Sequence, residues 1–325
     1  MERKILVTGA GGFVGAALVR QLQAKGYSVI AARRQMAVAS AEGRATTTVI
    51  RELSAATDWS APLTGVDTVI HLAARVHQLG EQPGAASEAR YDEVNRAATL
   101  KLARDALAAG VRRFIFVSSI KVNGDWTLPG KPFRADDLPA PTDAYARSKA
   151  AAEQQLLALM AETGLEVVIV RPPLIYGPGV KANVARLLDT LARGVPLPLG
   201  GVRHNRRSLL ALENLLDLLI LCIAAPKAAG AILLVSDDDD LSTAELLELL
   251  GEGLGRKARL IAIPPRWLEW GARLLGRGEV AQRLCGSLQV DIQPTKTLLG
   301  WQPPLSARTA LRALGAQRAG AEGRT

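Results

Sequence analysis

The chain has 325 residues, of which 48% are hydrophobic and 22% are charged, a composition that excludes a disordered protein. The formal net charge is +9, but aromatic residues make up only 4% of the chain and the basic residues are scattered. A nucleic-acid interface would need basic residues interleaved with stacking aromatic ones, so we expect no nucleic-acid partner. The charge favours a polyanionic small ligand or weak attraction to an acidic membrane surface.

Short β-branched runs alternate with longer helical patterns through the first half of the chain. Strands are predicted at 4–10, 27–34, 46–53, 66–74, 112–120 and 165–173. Helices are predicted at 13–25, 91–109 and 144–163, and a glycine ends each of them. This alternation predicts a parallel sheet with right-handed crossovers, and apolar strands without polar alternation predict burial on both faces. The expected fold class is α/β, a Rossmann-like doubly wound parallel sheet. His71, inside an apolar strand, is interpreted as structural.

The second half has a different sequence pattern, and we expect it to form a smaller, mostly helical C-terminal lobe. Proline and glycine punctuate 172–201, an apolar helix is predicted at 209–225, and a further strand is predicted at 231–237. The acidic run 237–240 is interpreted as a solvated loop. The last ten residues, AQRAGAEGRT, are expected to fray.

Cysteine usage and the N-terminal sequence bear on the location of the protein. Cys222 and Cys285 lack any spacing typical of a metal site, which suits a reducing cytoplasm and predicts no bound metal. The N-terminus runs directly into a strand-like segment without the pattern of a signal peptide. The most apolar stretch, 215–225, is interrupted by Asp217 and is too short to span a bilayer. We therefore expect a cytoplasmic protein with no transmembrane segment.

The segment TGAGGFVG, residues 8–15, joins the first strand to the first helix through a glycine turn. Such a junction points free backbone N–H groups and the positive end of the helix at an anion. Gly9 permits a tight turn, Gly12 lets a pyrophosphate approach, and Gly15 lets helix and sheet pack closely. The other candidate contacts in this turn are Phe13 and Val14. The spacing is GxxGxxG rather than the standard GxGxxG, and we interpret the segment as a dinucleotide cofactor site.

The end of the second strand bears on the choice between NAD and NADP. An acidic residue there would accept hydrogen bonds from the ribose hydroxyls of NAD, but this sequence has Arg33 and Arg34. Two guanidinium groups can bind a 2′-phosphate in bidentate fashion. We therefore expect NADP or NAD as the cofactor, with NADP slightly favoured. A pair of solvated surface arginines is the alternative.

The candidate catalytic residues are Ser119, Tyr145 and Lys149. Ser119 stands at the carboxyl end of the fifth strand, where open α/β sheets bind ligands. Tyr145 and Lys149 are four residues apart in the next helix, so both side chains lie on one face. A phenol has a pKa of ~10, and we expect the ammonium, together with the positive nicotinamide ring of the oxidised cofactor, to lower it. Ser119 would orient the substrate oxygen, while Ser118 would point elsewhere because side chains alternate along a strand.

Five segments, TGAGGFVG, VIHLAA, FVSS, YARSK and RPPLIYGPG, occur in this order over residues 8–179. Together they resemble the extended short-chain dehydrogenase/reductase family, in its nucleotide-sugar epimerase, dehydratase and reductase branch. The resemblance implies that Ser119, Tyr145 and Lys149 form a catalytic triad, with Tyr145 and Lys149 also contacting the cofactor. The residues it implies at the adenine and ribose are Glu52, Leu53, Leu72, Ala73 and Ala74, and those beside the nicotinamide are Pro172 and Ile175.

The resemblance extends to a UDP-sugar substrate, more thinly. Besides Ser119, it implies substrate contacts by Asn183 and Arg207 with the uracil or the diphosphate, and by Arg283 with a phosphate. An arginine facing a diphosphate is chemically apt. Ser208 and Ala211 depart from the family pattern, which usually has an acidic residue and a histidine there. We divide the chain into two domains. They are a cofactor-binding domain at 1–171, with parts of 205–237 returning to it, and a substrate-binding lobe at 172–204 and 238–325.

The pattern of the whole chain is most similar to bacterial 4-keto reductases that form UDP-N-acetylquinovosamine. This implies hydride transfer from NAD(P)H to C4 of a UDP-4-keto-6-deoxy-hexosamine in surface-polysaccharide synthesis. The alternative is a UDP-hexose 4-epimerase of the UDP-glucose or UDP-GlcNAc type that retains NAD. An inactive nucleotide sensor and a steroid or flavonoid reductase also stay open. Alanine-rich helices at 95–109 and 144–163 favour a homodimer.

Overall fold

A seven-stranded parallel sheet stands at the centre of the computed structural model, which describes residues 3–35, 46–76, 84–180, 183–276 and 278–322. The strands, in chain order, are β1 (Lys4–Thr8), β2 (Ser28–Arg33), β3 (Thr46–Val49), β4 (Thr68–His71), β5 (Arg113–Val117), β6 (Glu166–Arg171), β7 (Leu174–Tyr176), β8 (Leu209–Ala211) and β9 (Ile232–Leu234). The large sheet has the order β3-β2-β1-β4-β5-β6-β9, and β7 pairs with β8. The order reverses between β1 and β4, which places a ligand crevice at their carboxyl ends. The predicted fold class is confirmed.

Helices cover the sheet and build the C-terminal region. They are α1 (Phe13–Ala24), α2 (Ala85–Tyr91), α3 (Ala98–Ala108), α4 (Ala144–Thr163), α5 (Asn183–Ala192), α6 (Leu212–Ala224), α7 (Thr243–Gly253), α8 (Pro265–Leu274), α9 (Gly278–Cys285), α10 (Gln293–Leu299) and α11 (Ala307–Glu322). A π-helical segment, Asp92–Ala97, joins α2 to α3. Within the described ranges, no helix is both long and apolar enough to cross a membrane.

Successive residues of the strands enter two separate cores, one on each face of the sheet. Ile5 and Val7 of β1 belong to the core that includes α1 and α6. Leu6, which stands between them, belongs to the core that includes α3 and α4. Because neighbouring side chains point to opposite faces of a strand, both faces of this sheet are buried. The uniformly apolar strands in the sequence predicted this arrangement.

His71, at the end of β4, is a buried structural residue, as the sequence analysis interpreted it. Its Nδ1 lies 2.7 Å from Oγ1 of Thr8, and its Nε2 lies 2.9 Å from Oγ1 of Thr99. Burial lowers its pKa to about 3, and the positive charge of Lys149 acts in the same direction. The imidazole is therefore neutral at physiological pH and ties β1 to the helical layer.

The C-terminal region has a third core, in which α5, α7 and α11 pack together. Two glycines bring α7 and α11 into close contact. A Cβ on Gly253 would lie 2.2 Å from the carbonyl oxygen of Arg312, and one on Gly315 would lie 2.5 Å from that of Leu250. This contact holds α11 in place to Glu322, so the expectation that the last ten residues fray is wrong for 316–322. Residues 323–325 lie outside the described part of the chain.

The apolar segment 209–225 is not one helix, as predicted, but β8 followed by α6. Asp237 stabilises the junction, because its Oδ1 accepts hydrogen bonds from the backbone N–H of Ala211 and the side chain of Asn214, both at 2.7 Å. Its Oδ2 accepts a hydrogen bond from the hydroxyl of Tyr176, also at 2.7 Å. Burial raises the pKa of Asp237 to about 6. The interpretation of 237–240 as a solvated loop is therefore wrong for Asp237.

The cores also bear on the proposed division into domains. Leu288, Val290, Ile292 and Trp301 pack in the same core as α1 and α6, although they belong to the segment assigned to the substrate-binding lobe. The division into a cofactor-binding part and a substrate-binding part, with 238–325 in the latter, stays a proposal.

Candidate active site

The glycine turn between β1 and α1 has contacts that exclude larger side chains. Gly9 has a φ of +67°, which L side chains rarely adopt, and a Cβ there would lie 2.8 Å from the backbone nitrogen of Ala73. A Cβ on Gly15 would lie 2.2 Å from the carbonyl oxygen of Gly9. Gly12, the N-cap of α1, has no side chain with which to cap the first N–H groups of this helix, which leaves them available to an anion. The side chains of Phe13 and Val14 pack against the core, which leaves their backbone N–H groups as the expected contacts.

The segment after β4 packs against the glycine turn. The backbone N–H of Ala73 donates a hydrogen bond to Oγ1 of Thr8 at 3.2 Å. Leu72 packs against the core beneath the turn, and Ala74 is half-buried. Residues 72–74 and the glycines therefore meet at the carboxyl ends of β1 and β4.

A cavity of about 680 Å³ at the carboxyl ends of β2 and β3 is the candidate adenosine site. Arg34 and Glu52 line it, as does Arg51, which the sequence analysis did not select. The hydroxyl of Thr57 donates a hydrogen bond to the carbonyl oxygen of Glu52 at 3.1 Å and orders this rim. Two guanidinium groups and two carboxylates, those of Glu52 and Asp58, therefore share the cavity.

Arg33 and Leu53 have different surroundings from their sequence neighbours. Arg33 lies beside the glycine turn, with its Cγ 4.0 Å from the position of a Cβ on Gly11. Leu53 packs against the core on the α3 and α4 side of the sheet. The two arginines predicted to bind the cofactor therefore lie in different places. Arg34 lines the cavity, and Arg33 lies beside the glycine turn.

The structure brings Ser119, Tyr145 and Lys149 together beyond the end of β5. The hydroxyl of Ser119 faces the phenol of Tyr145 and lowers its pKa as a hydrogen-bond partner. The ammonium of Lys149 is buried and donates a hydrogen bond to the carbonyl oxygen of Val117 at 2.9 Å. It also lies 4.3 Å from the ring centroid of Phe116, a cation–π contact.

The first turn of α4 fixes the position of Tyr145. Asp143 is the N-cap and accepts a hydrogen bond from the backbone N–H of Ala146 at 2.7 Å. The ring of Tyr145 packs edge-on against Tyr91, with the centroids 6.4 Å apart.

Ser118 is buried, and its hydroxyl has no hydrogen-bond partner within the part of the chain that the structure describes. Ser119 rather than Ser118 therefore lies beside the phenol.

The pKa values of the triad differ from the sequence-based expectation. Burial raises the pKa of Tyr145 to about 12, and the hydrogen bond with Ser119 offsets only part of this effect. Burial also lowers the pKa of Lys149 to about 7, against the opposing charge of Glu153. We predicted a phenol with a lowered pKa, but in the protein alone desolvation is the larger effect. An additional positive charge, such as that of an oxidised nicotinamide ring, is needed to favour the phenolate.

A buried ion pair that was not predicted from the sequence lies next to Lys149. Arg171, at the end of β6, binds Glu153 of α4 with 2.5 Å between Nη2 and Oε2. Its Nη1 donates a hydrogen bond to Oδ1 of Asn123 at 2.9 Å. Glu153 stands four residues after Lys149, so the spacing that identified the tyrosine and lysine could also have identified this carboxylate.

Asn95 is a second residue that the sequence analysis missed. It is fully buried in the π-helical segment, where its Oδ1 accepts a hydrogen bond from the backbone N–H of Arg75 at 2.8 Å. Its Nδ2 donates a hydrogen bond to Oγ of Ser148 at 3.0 Å, next to Lys149. An asparagine inside a helix is unfavourable without such partners, and π-helical segments often occur at functional sites.

The predicted substrate residues Arg207 and Arg283 lie in contact. Nη1 of Arg207 donates hydrogen bonds to the carbonyl oxygens of Arg283, at 2.8 Å, and Gly286, at 3.1 Å. Burial lowers the pKa of Arg207. Asn183 begins α5, as predicted, and its side chain is not among the described ones. The guanidinium of Arg207 is thus held against the backbone of the segment that contains Arg283.

The segment before β7 lies next to the candidate catalytic residue Ser119. The carbonyl oxygen of Pro172 accepts a hydrogen bond from the backbone N–H of Ile120 at 3.0 Å, directly after Ser119. Ile175 packs against the core that includes α1. Thr127, in the loop before α4, bridges to Ser287, which connects the catalytic loop to the segment after Arg283. Within the described residues, no group of three or more His, Cys, Asp or Glu residues is placed to hold a metal ion.

The sequence profile of the NAD dependent epimerase/dehydratase family matches residues 5–235. This match spans the glycine turn, the triad and the region of Arg207. The chain therefore belongs to this family, which is part of the extended short-chain dehydrogenases/reductases, and it is an enzyme of that class.

Particular relatives cover almost the whole chain. A UDP-glucose 4-epimerase of Vibrio cholerae is 43% identical over 304 residues, which are 94% of this chain and 92% of the relative. A 2-alkyl-3-oxoalkanoate reductase of Stenotrophomonas maltophilia is 31% identical over 347 residues, covering 97% and 99% of the two chains.

Solved structures agree with the fold. MoeE5 in complex with UDP-glucuronic acid and NAD superposes with a TM-score of 0.76 at 25% identity, over 97% of this chain and 99% of that one. The UDP-N-acetylglucosamine 4-epimerase of Bacillus cereus superposes with a TM-score of 0.78 at 21% identity, over 98% and 97% of the chains. The second likeness supports the fold alone.

Proposed function

We propose that the protein is a UDP-hexose 4-epimerase that keeps its NAD through the reaction, with Ser119, Tyr145 and Lys149 as catalytic residues. The observation that carries this proposal is the 43% identity, over almost the full length of both chains, to a UDP-glucose 4-epimerase. This proposal places the 4-epimerase first, whereas the sequence pattern favoured the 4-keto reductase and gave the epimerase as the alternative.

The residues of the crevice fit a dinucleotide cofactor. Gly9, Gly12 and Gly15 would hold its pyrophosphate on the first turn of α1, since the uncapped N–H groups there attract an anion. Glu52 and Arg34 would border the adenosine end in the 680 Å³ cavity. When bound, NAD supplies the oxidising and reducing chemistry at the sugar carbon.

The triad supplies the proton chemistry at the sugar oxygen. Tyr145 would take the proton of the 4-hydroxyl and later return it to the same oxygen. Ser119, hydrogen-bonded to this phenol, would hold that oxygen in place. Lys149 would stabilise the phenolate by its positive charge. Because its pKa is lowered to about 7, this charge is lost as the pH rises above neutrality. Because the proton and the hydride that leave the sugar would both return to it in an epimerisation, no cofactor would be consumed.

The substrate nucleotide is proposed to bind beside Arg207 and Arg283, with Asn183 at the start of α5. The partly buried guanidinium of Arg207 is apt for a diphosphate, because charge-assisted bonds are strong where water is excluded. Arg207→Lys tests this role, because lysine keeps the charge but loses the planar fork. We expect a raised KM for the UDP-sugar with a small change in kcat, and an unchanged KM would contradict it.

A second candidate function, NADPH-dependent reduction of a UDP-4-keto-6-deoxy-hexosamine, is favoured by the two arginines of the adenosine cavity. Arg34 and Arg51 both line it, and both suit a 2′-phosphate. If NADP is the cofactor, Arg34→Ala and Arg51→Ala each weaken NADP binding while leaving NAD binding unchanged. Arg20→Ala, at an exposed position of α1, is the control.

A substrate panel separates the two functions. The purified enzyme is incubated with UDP-glucose or UDP-GlcNAc without added cofactor, and separately with the 4-keto sugar and NADPH or NADH. We expect the C4 epimer in the first reactions and no cofactor oxidation in the second. Oxidation of NADPH only with the 4-keto sugar would favour the reductase. Activity only on a lipid ketone would contradict both.

Three further expectations stay proposals. We propose that the enzyme acts in surface-polysaccharide synthesis, that it is cytoplasmic, and that it forms a homodimer through α3 and α4. Light scattering tests the dimer: we expect twice the chain mass, and a concentration-independent monomer would contradict it.

A further inference from the structure

One face of α8 is apolar and exposed. Trp267, Trp270 and Leu274 have the i, i+3, i+7 spacing that places side chains on one side of a helix, and they are 59%, 62% and 68% exposed. None of the residues of α8 is buried. Leu268, on the opposite side, packs against the C-terminal core and so fixes which side points outward. The helix therefore presents two indole rings and a leucine to the solvent.

Positive charge borders these side chains. Arg266 and Arg273 stand four residues before and three residues after Trp270, so they lie on the same side of the helix, and both are exposed. Neither forms an ion pair with a residue of the described ranges. Residues 256–273 hold five basic residues and one acidic residue, Glu269. We call Trp267, Trp270, Leu274, Arg266 and Arg273 the α8 face.

The composition of the α8 face is typical of an interfacial helix. Indole rings prefer the boundary between water and an apolar phase, and arginine can reach polar headgroups while its stem stays apolar. Leu275, directly after α8, is also exposed and extends the apolar side. Large apolar side chains grouped in this way mark a site of interaction rather than ordinary surface.

The charge and size of the α8 face decide between a membrane and a second copy of the chain. In a symmetric dimer through this face, Arg266 and Arg273 would meet arginines of the other copy, which is repulsive. Two tryptophans and a leucine, each about two-thirds exposed, offer about 400 Å², less than the roughly 800 Å² per partner of a stable interface. Anionic lipid headgroups complement the arginines, and the acyl region accepts the apolar side chains.

We propose that α8 docks the enzyme reversibly onto an anionic phospholipid surface. The helix lies in the plane of the interface, with Trp267, Trp270 and Leu274 at the headgroup boundary and Arg266 and Arg273 on lipid phosphates. This docking is independent of the proposed epimerase activity, because no residue of the α8 face belongs to the candidate active site.

Vesicle sedimentation of the full chain tests the proposal. We expect binding to vesicles that contain phosphatidylglycerol, little binding to pure phosphatidylcholine, and loss of binding as salt screens the arginines. Trp267→Gln/Trp270→Gln should lower the bound fraction at least about tenfold, and Arg266→Gln/Arg273→Gln should lower it several-fold. Activity on a water-soluble UDP-sugar should stay unchanged in both variants.

Trp126→Gln is the matched control, because Trp126 is a similarly exposed tryptophan that lies outside α8. It should bind vesicles like the wild type. The proposal is overturned if anionic and neutral vesicles bind equally, if the double tryptophan variant still binds, or if no vesicle binds the folded protein. It is also overturned if the tryptophan substitutions instead abolish a concentration-dependent dimer, which would assign the α8 face to a second copy.

Discussion

Glu153 and Arg171 form an ion pair inside the protein, one helical turn beyond Lys149, the candidate catalytic lysine. The pair joins α4 to β6, with 2.5 Å between Oε2 and Nη2, and the side chains are 4% and 3% exposed. The carboxylate of Glu153 raises the pKa of Lys149 against the larger effect of burial. Glu153 is therefore a positioning residue that helps Lys149 stay charged near neutral pH.

Glu153→Gln should change both the stability and the pH profile of the enzyme. Removing one partner of a buried ion pair costs about 3–5 kcal/mol of unfolding free energy. The loss of the negative charge lowers the pKa of Lys149, so the alkaline limb of the kcat profile should move to lower pH. The measurements are chemical denaturation and the pH dependence of kcat.

Glu166→Gln is the matched control, since Glu166 pairs with the buried Arg113 at the other end of β6. It should lower stability without moving the pH profile. An equal shift of the profile in both variants, or no shift in either, would contradict the role of Glu153.

Replacing each of two neighbouring serines tests which of them holds the substrate oxygen. Ser119→Ala removes the hydroxyl that bonds to Tyr145 and should lower kcat roughly 10²-fold. Ser118→Ala removes a buried hydroxyl that has no partner among the described residues, so its stability should stay the same or rise. Its kcat should stay within about twofold of the wild type. The reverse pattern of activities would move the role to Ser118.

A methyl group on Gly15 should prevent the glycine turn from forming. It would lie 2.2 Å from the carbonyl oxygen of Gly9, which is backbone and cannot turn aside. We expect Gly15→Ala to lose cofactor affinity at least tenfold and to lower the melting temperature. Gly271→Ala, in α8, has nothing within 4 Å of the added methyl and should be neutral or slightly stabilising. Normal cofactor binding by Gly15→Ala would be evidence against the proposed pyrophosphate site.

Local patterns in the sequence predicted the sheet and selected the three candidate catalytic residues, because apolar strands, glycine turns and the tyrosine–lysine spacing depend on neighbouring positions. The missed features depend on contacts between distant segments. Asp237 is buried because Tyr176 and Asn214 satisfy it, and α11 stays helical because Gly253 permits a close crossing. The raised pKa of Tyr145 in the protein alone has the same origin, since desolvation is set by the whole fold rather than by the nearest charge.

His71 should make the protein less stable in acid. Its pKa is about 3 in the folded protein and 6.5 when unfolded, so between these values the unfolded chain binds more protons. The free energy of unfolding therefore falls as the pH falls below 6.5, by up to about 1.4 kcal/mol per pH unit. Asp237, whose pKa is raised to about 6, contributes the opposite slope between its unfolded and folded values, in wild type and variant alike.

The difference between wild type and His71→Gln isolates the histidine. Denaturation between pH 6.5 and pH 4 should show a smaller loss of stability in the variant. His204→Gln, at an exposed histidine, should keep the slope of the wild type. Equal slopes in His71→Gln and wild type would mean that His71 does not resist protonation.

The fate of the C4 hydrogen tests the proposed epimerase most directly. UDP-glucose deuterated at C4 is incubated with the purified enzyme without added cofactor, and the products are followed by NMR and mass. We predict UDP-galactose that keeps the deuterium at C4, with no cofactor consumed, and a roughly 10²–10⁴-fold lower rate in Tyr145→Phe. Product that carries solvent hydrogen at C4, or no C4 epimer from the folded, cofactor-loaded enzyme, would contradict the account.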